Sequence, residues 1–186
     1  GLMNVAELVN GGKTDINITL DKNIDLTGKV WTPIGTDYDN SYTGTFDGGG
    51  HTITGLTVTT NDEYAGLFGY LGNFGKFGTV KNVVMDGIQI TCNHRSGYAG
   101  GVAGYSWGTV SGTVSVGGVV GAQRDGSITG CSSSATVKGT LNVGGVAGQT
   151  IFGATLTACY ATGNVTIEID HRQNISGGGL VGFNDG

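Results

Sequence analysis

The chain has 186 residues and a formal net charge of −5, with 38 glycines, one proline, 12% charged and 8% aromatic residues. No Lys/Arg run is present to neutralise phosphates, so the sequence gives nucleic acid no electrostatic footprint as a partner, and no stretch approaches the ~20 apolar residues of a membrane span. Gly plus Pro stays below the roughly 25–30% that marks an aperiodic low-complexity chain, and the recurrence of Val, Ile, Thr and Gly points to an ordered all-β fold.

Met3 to Val9 carries apolar residues at helical intervals and ends at Asn10-Gly11-Gly12, a stop signal. A short helix is predicted there, with residues 1–15 covering the open end of the first coil of β structure. Ile16 to Leu26 alternates apolar and polar residues and predicts the first strands. Trp31 and Pro33-Ile34-Gly35 come next, then Phe46-Asp47-Gly48-Gly49-Gly50, a turn by its chemistry. Residues 16–65 are read as the first coils of a solenoid.

From residue 66 onward a motif returns: Ala65-Gly66-Leu67-Phe68-Gly69, Gly100-Gly101-Val102-Ala103-Gly104, Gly117-Gly118-Val119-Val120-Gly121, Gly144-Gly145-Val146-Ala147-Gly148 and Gly178-Gly179-Leu180-Val181-Gly182. Its last glycines lie 35, 17, 27 and 34 residues apart, so the coils carry connections of unequal length. A second phase runs through Ile53/Leu56, Val80/Val83, Val110/Thr113, Ile128/Cys131 and Leu156/Cys159, and stretches such as Ile88-Gln89-Ile90-Thr91-Cys92 alternate with period two, as half-buried strands do. One such unit cannot bury its apolar face alone, so copies must stack. The expected architecture is a right-handed, single-stranded parallel β-helix spanning residues 1–186 as one domain, with 66–186 forming the repeat coils. Gly66, Gly69, Gly101, Gly104, Gly118, Gly121, Gly145, Gly148, Gly179 and Gly182 are the expected structural positions, taking positive φ at corners and letting turns pack closely.

The ordered series Asn23-Ile24-Asp25-Leu26, Trp31-Thr32-Pro33-Ile34-Gly35, Gly44-Thr45-Phe46-Asp47-Gly48, His51-Thr52-Ile53 and Gly66-Leu67-Phe68-Gly69, followed by the glycine repeats, resembles the GLUG-motif repeat proteins over nearly the whole chain. Val stands for the consensus Leu at Val102, Val119 and Val146, and the coil between Gly104 and Gly121 is short. The resemblance implies a β-helical module of a large bacterial surface or secreted protein, including candidate adhesins, and similar repeats accompany some immunoglobulin-A-cleaving metalloproteases. The chain stops at Asn184-Asp185-Gly186 just after a motif has begun again, so it is expected to be a piece of a longer protein with further domains.

Candidate chemistry is sparse, and no cofactor or metal is expected. Three cysteines are an odd number without a C-x-x-C pair. Cys131 and Cys159 fall at the inward position of Leu56 and Val83, one coil apart, and read as stacked buried thiols, with a disulfide as the alternative. Cys92 alternates with Ile88 and Ile90 and reads as core. His51, His94 and His171 form no H-E-x-x-H pattern, and Ser132 to Ser134 have no nucleophile elbow. Asp37, Asp39 and Asn40 with nearby Asp47 offer oxygen ligands for calcium, though their spacing suits plain turns equally. Thr57, Thr59 and Thr60 begin a threonine row of the kind that orders ice-like water, which the next coil would break with Val84 and Gly87.

The function expected is therefore non-enzymatic: an extracellular or cell-surface module that presents a binding face to a host protein or glycan, with no membrane insertion. Tyr38, Tyr42, Tyr70, Tyr105 and Trp107 in exposed loops are the candidate contacts, against the alternative that they pack over coil corners. The second expectation is a stalk or accessory region of a larger secreted protease or carbohydrate-active enzyme.

Overall fold

In the computed structural model the described residues are 1–94, 97–115, 118–134, 136–139, 142–167 and 176–185. Every pairing between their strands is parallel. Strands repeating in this way around a coil make a β-solenoid, and right-handed winding is the sense that strand twist favours for parallel crossovers.

The N-terminal helix is Leu2–Asn10, and its buried residues, Leu2, Ala6 and Val9, are spaced four and three apart on one face. They join Leu20, Leu26 and Trp31 in the core, so the helix closes the first coil. Asn10 fixes its exit: the side-chain amide donates to the Pro33 carbonyl (3.0 Å) and its oxygen accepts from Gly35 N–H (2.8 Å).

Two stacks run the length of the solenoid. One, here the spine, is the five-stranded sheet of Phe68–Leu71, Ala103–Ser106, Val120–Arg124, Ala147–Ile151 and Val181–Asp185. The other aligns Ile18, Phe46, Val80, Val110, Ile128 and Leu156 in register. Phe46, Val80, Val110 and Ile128 are fully buried, each such side chain contributing roughly 1.5–3 kcal/mol.

The remaining strands do not run through. Thr57–Thr60 pairs only with Gln89–Cys92, and Val137–Gly139 only with Val165–Ile167, among the described residues. The short coil explains the break: from Ala103–Ser106 the chain passes to Thr109–Ser115 and then to Val120–Arg124, with no strand on that side among the described residues. Ile88, Ile90 and Cys92 are consequently half-buried, whereas Val58 in the coil before them is only 2% exposed. At the last coil Leu156, Cys159 and Val181 are likewise half-buried, while Ile128, Cys131 and Ala147 in the preceding coil are fully buried. Cys92 and Cys159 are therefore less enclosed than the alternation pattern implies.

Two registers differ from expectation. A bulge between Ser111 and Val114 sets Val114, not Thr113, opposite Cys131; one extra residue in one strand is what a bulge accommodates. Thr57, Thr59 and Thr60 lie opposite Gln89, Thr91 and Cys92 rather than Val84 and Gly87, so one threonine pair forms and the row ends there.

The repeat glycines also act differently. Gly118 has φ 61°, but Gly66, Gly69, Gly104, Gly121, Gly145, Gly148, Gly179 and Gly182 lie outside the left-handed region. What most of them supply is space. A Cβ on Gly121 would sit 2.6 Å from the Gly104 carbonyl oxygen, and one on Gly148 would sit 2.6 Å from that of Gly121 and 2.8 Å from that of Asn142. Gly69, Gly104, Gly121, Gly148 and Gly182 thus form a ladder on which the chain folds back tightly, and Gly35 heads it, its own carbonyl lying where a Gly69 Cβ would go. Gly101 belongs to the neighbouring turn, its N–H donating to the Gly118 carbonyl (2.6 Å).

Candidate functional site

Parallel in-register stacking brings like residues together, and here it gathers tyrosines. Tyr70 and Tyr105 are partners on the spine, and Tyr64 and Tyr98 are partners on the strands before it. The rings of each pair stack, at centroid distances of 5.0 Å for Tyr70/Tyr105 and 5.9 Å for Tyr64/Tyr98. The two pairs meet edge to face, Tyr64 on Tyr70 at 4.9 Å and Tyr98 on Tyr105 at 5.2 Å, while Tyr38 adds its edge to Tyr70 at 6.1 Å. Burial raises the pKa of the Tyr64, Tyr70 and Tyr98 hydroxyls, with the Trp107 hydrogen bond pulling Tyr70 the other way. These three hydroxyls accordingly stay neutral at physiological pH.

Of the residues expected in exposed loops, Tyr38, Tyr70, Tyr105 and Trp107 come together, but their exposure differs. Tyr38 is 45% exposed and Tyr105 half-buried, whereas Tyr70 and Trp107 are almost covered. Trp107 is held by its indole N–H, which donates to the Tyr70 hydroxyl (3.2 Å). Tyr42 is no contact residue at all. It is fully buried, its ring lies 5.1 Å from that of Phe68, and its hydroxyl donates to the Ile16 carbonyl (2.9 Å). It bridges to Leu71 in the first coil, so its side chain enters the core rather than a loop tip.

Beside the tyrosines, on the corner that follows the spine, a second group continues along the axis. The edge of Phe74 meets Trp107 at 6.1 Å, and the Arg124 guanidinium lies between two rings, 4.6 Å from the centroid of Trp107 and 4.0 Å from that of Phe152. Phe74 is 78% and Phe152 59% exposed. The Arg124 Nε is buried without a hydrogen-bond partner, and the one ion pair among the described residues lies elsewhere, between Lys81 and Asp47. Gln123, next to it, is fully buried, with its amide nitrogen donating to the Gly108 and Asp125 carbonyls. Tyr64, Tyr98, Phe74, Arg124 and Phe152 were not singled out in the sequence.

The other candidates resolve into structural roles. Burial alone would raise the Asp37 carboxyl, but donors from Asn40, Thr36 and Asp39 outweigh it and hold it below its ordinary value. These contacts close the loop on itself. The Asp47 carboxyl is held low by Gly49 N–H first, then by Asn82 and Lys81. Among the described residues no three His, Cys, Asp or Glu side chains converge as a metal site would require, and no helix is long and apolar enough to cross a membrane. Ser133 is buried and accepts from Gly118 N–H (2.9 Å), a structural bond. His171 lies outside the described residues. Burial, then the neighbouring Cys159, pushes the Cys131 thiol up to about 12, so it is an inert core group rather than a nucleophile.

Comparison with known proteins agrees with the motif reading. The GLUG motif matches residues 112–138. Halomucin of Haloquadratum walsbyi is 35% identical over 103 residues, which cover 55% of this chain and 1% of that protein. A protein described as a Gly-rich membrane protein, from Evansella cellulosilytica, is 34% identical over 95 residues, 50% of this chain and 10% of that one. The chain thus spans a small part of the curated relatives it matches. Among solved structures, a candidate immunoglobulin A1 protease from Bacteroides ovatus superposes with a TM-score of 0.72 at 21% identity, over 99% of this chain and 59% of that one, a likeness of fold.

Proposed function

From a β-solenoid that carries the GLUG motif, we propose a non-catalytic module, displayed outside the cell, that recognises a glycan or surface protein through the aromatic corner beside its spine. The observation that carries this reading is the exposure of Phe74 and Phe152 along one corner of the solenoid. Large exposed rings on regular scaffold cost hydration, and they serve as contact area for sugar faces or partner side chains. The names of the relatives, a halomucin and a Gly-rich membrane protein, support the extracellular setting.

The test is a panel of glycans and extracellular-matrix proteins probed with the 186-residue chain and with a Phe74→Ala/Phe152→Ala variant, whose substitutions leave the core untouched. Specific binding that falls at least tenfold in the variant is the expected result. Full binding by the variant would move recognition to another face. No binding to any panel member would instead favour the second role, a stalk or accessory segment of a larger secreted enzyme.

A further inference from the structure

This inference rests on that reading and starts from Arg124, whose charge at the corner a neutral ligand would leave without a counter-ion. We propose that Trp107, Arg124 and Phe152 form a site for a carboxylate-bearing saccharide, with the guanidinium pairing the carboxylate and the exposed phenylalanines taking the apolar faces of the sugar rings.

Four observations converge. A guanidinium held between two rings has its plane fixed, so its in-plane N–H fork is oriented before any ligand arrives, and that fork matches a carboxylate. In a chain of net charge −5, with Asp125 next in sequence, Arg124 still has no acidic partner within ion-pair distance among the described residues. Its Nε is already shielded from water without a hydrogen bond, so part of the dehydration that a ligand would otherwise impose is complete in the folded protein. Finally, Phe152 has φ 56°, a conformation rare for a bulky side chain, and its ring is nonetheless 59% exposed over the guanidinium. The preceding coil turns through the same left-handed conformation at Asp125 (φ 51°), so the turn itself sets the angle, and what is particular to this coil is a bulky, exposed ring at a position that suits Asp.

The chemistry around the site narrows the ligand. Phe74, Trp107, Arg124 and Phe152 succeed one another over four rungs, about 14 Å at ~4.8 Å per rung, room for a short oligosaccharide. An extended acidic peptide would seek unpaired backbone donors, and Val120–Arg124 is already paired on both sides. Polysulfated chains need several clustered cations, and among the described residues this corner adds to Arg124 only Lys76, on the Phe74 turn.

The decisive experiment measures binding of matched oligosaccharides, one ending in a sialic or uronic acid, its methyl ester and its neutral analogue, to the native chain, Arg124→Gln and Arg124→Lys. The expected result is at least tenfold preference for the free acid, weakened by added salt, lost in Arg124→Gln and only partly kept by Arg124→Lys. Equal binding of acid and ester by the native chain would overturn this inference while leaving the recognition reading in place, and that comparison decides the matter even if the variants fold poorly. Acidic peptides binding in preference to the acid saccharide would overturn it too. No saccharide binding at all would overturn this inference and the glycan arm of the broader reading together.

Discussion

On the spine, Val120–Arg124 is hydrogen-bonded by Ala103–Ser106 on one edge and Ala147–Ile151 on the other. On the interrupted side, Gln89–Cys92 has Thr57–Thr60 alone among the described residues. Both regions are rungs of apolar residues alternating with polar or small ones, yet Val120 is 2% exposed and Ile90 half-buried. In a stacked fold, enclosure comes from the coils above and below, so a residue's hydrophobicity alone does not decide how much it stabilises the chain.

That contrast is most open to attack at the glycine ladder. Gly148→Val would press a side chain onto the Gly121 and Asn142 carbonyls and should cost about 3 kcal/mol or more, whereas Gly179→Ala, in open space in the last coil, should stay within ~0.5 kcal/mol. Urea unfolding of the two variants checks this, and equal costs would break the comparison. Next in size, Ile128→Ala in the continuous stack should lose ~2–5 kcal/mol, and Ile90→Ala beside the missing rung nearer ~1 kcal/mol.

A smaller effect appears with pH. The unfolded chain releases the Cys131 proton near pH 8.5, while the folded chain keeps it up to about 12. The stability due to the buried neutral thiol is thus whole below pH 8.5 and is lost as pH rises through that window. Thermal unfolding between pH 8 and 11 should show a shallower decline for Cys131→Val than for the native chain. The smallest effect is expected at the surface: Lys81→Ala removes an ion pair whose side chains are 41% and 24% exposed and should change stability by no more than ~0.5 kcal/mol.

Much of the scaffold was legible in the residues. The pairs Ile53/Leu56, Val80/Val83 and Ile128/Cys131 marked the inward rows because stacking repeats the same position in every coil, and the glycine motif marked the tight fold-back. Val114 escaped because a bulge shifts register without changing composition, and Gly35 because Pro33-Ile34-Gly35 does not look like the later motif. The aromatic corner was only partly visible. Trp107 and Phe152 flank Arg124 from 17 residues before and 28 after it, and coils of unequal length hide such neighbours from any fixed period. Tyr42 misled for the opposite reason: an aromatic among Asp, Asn and Ser looks like a loop tip, while its position opposite Leu71 sends it inward.

The 17-residue coil also says how such a molecule can change. Because it leaves out strands on one side while the spine and the Val80–Ile128 stack pass through it unbroken, the scaffold behaves like a rack whose shelves may be shortened or lengthened one at a time. Diversification of what the module displays can then proceed independently of what keeps it folded.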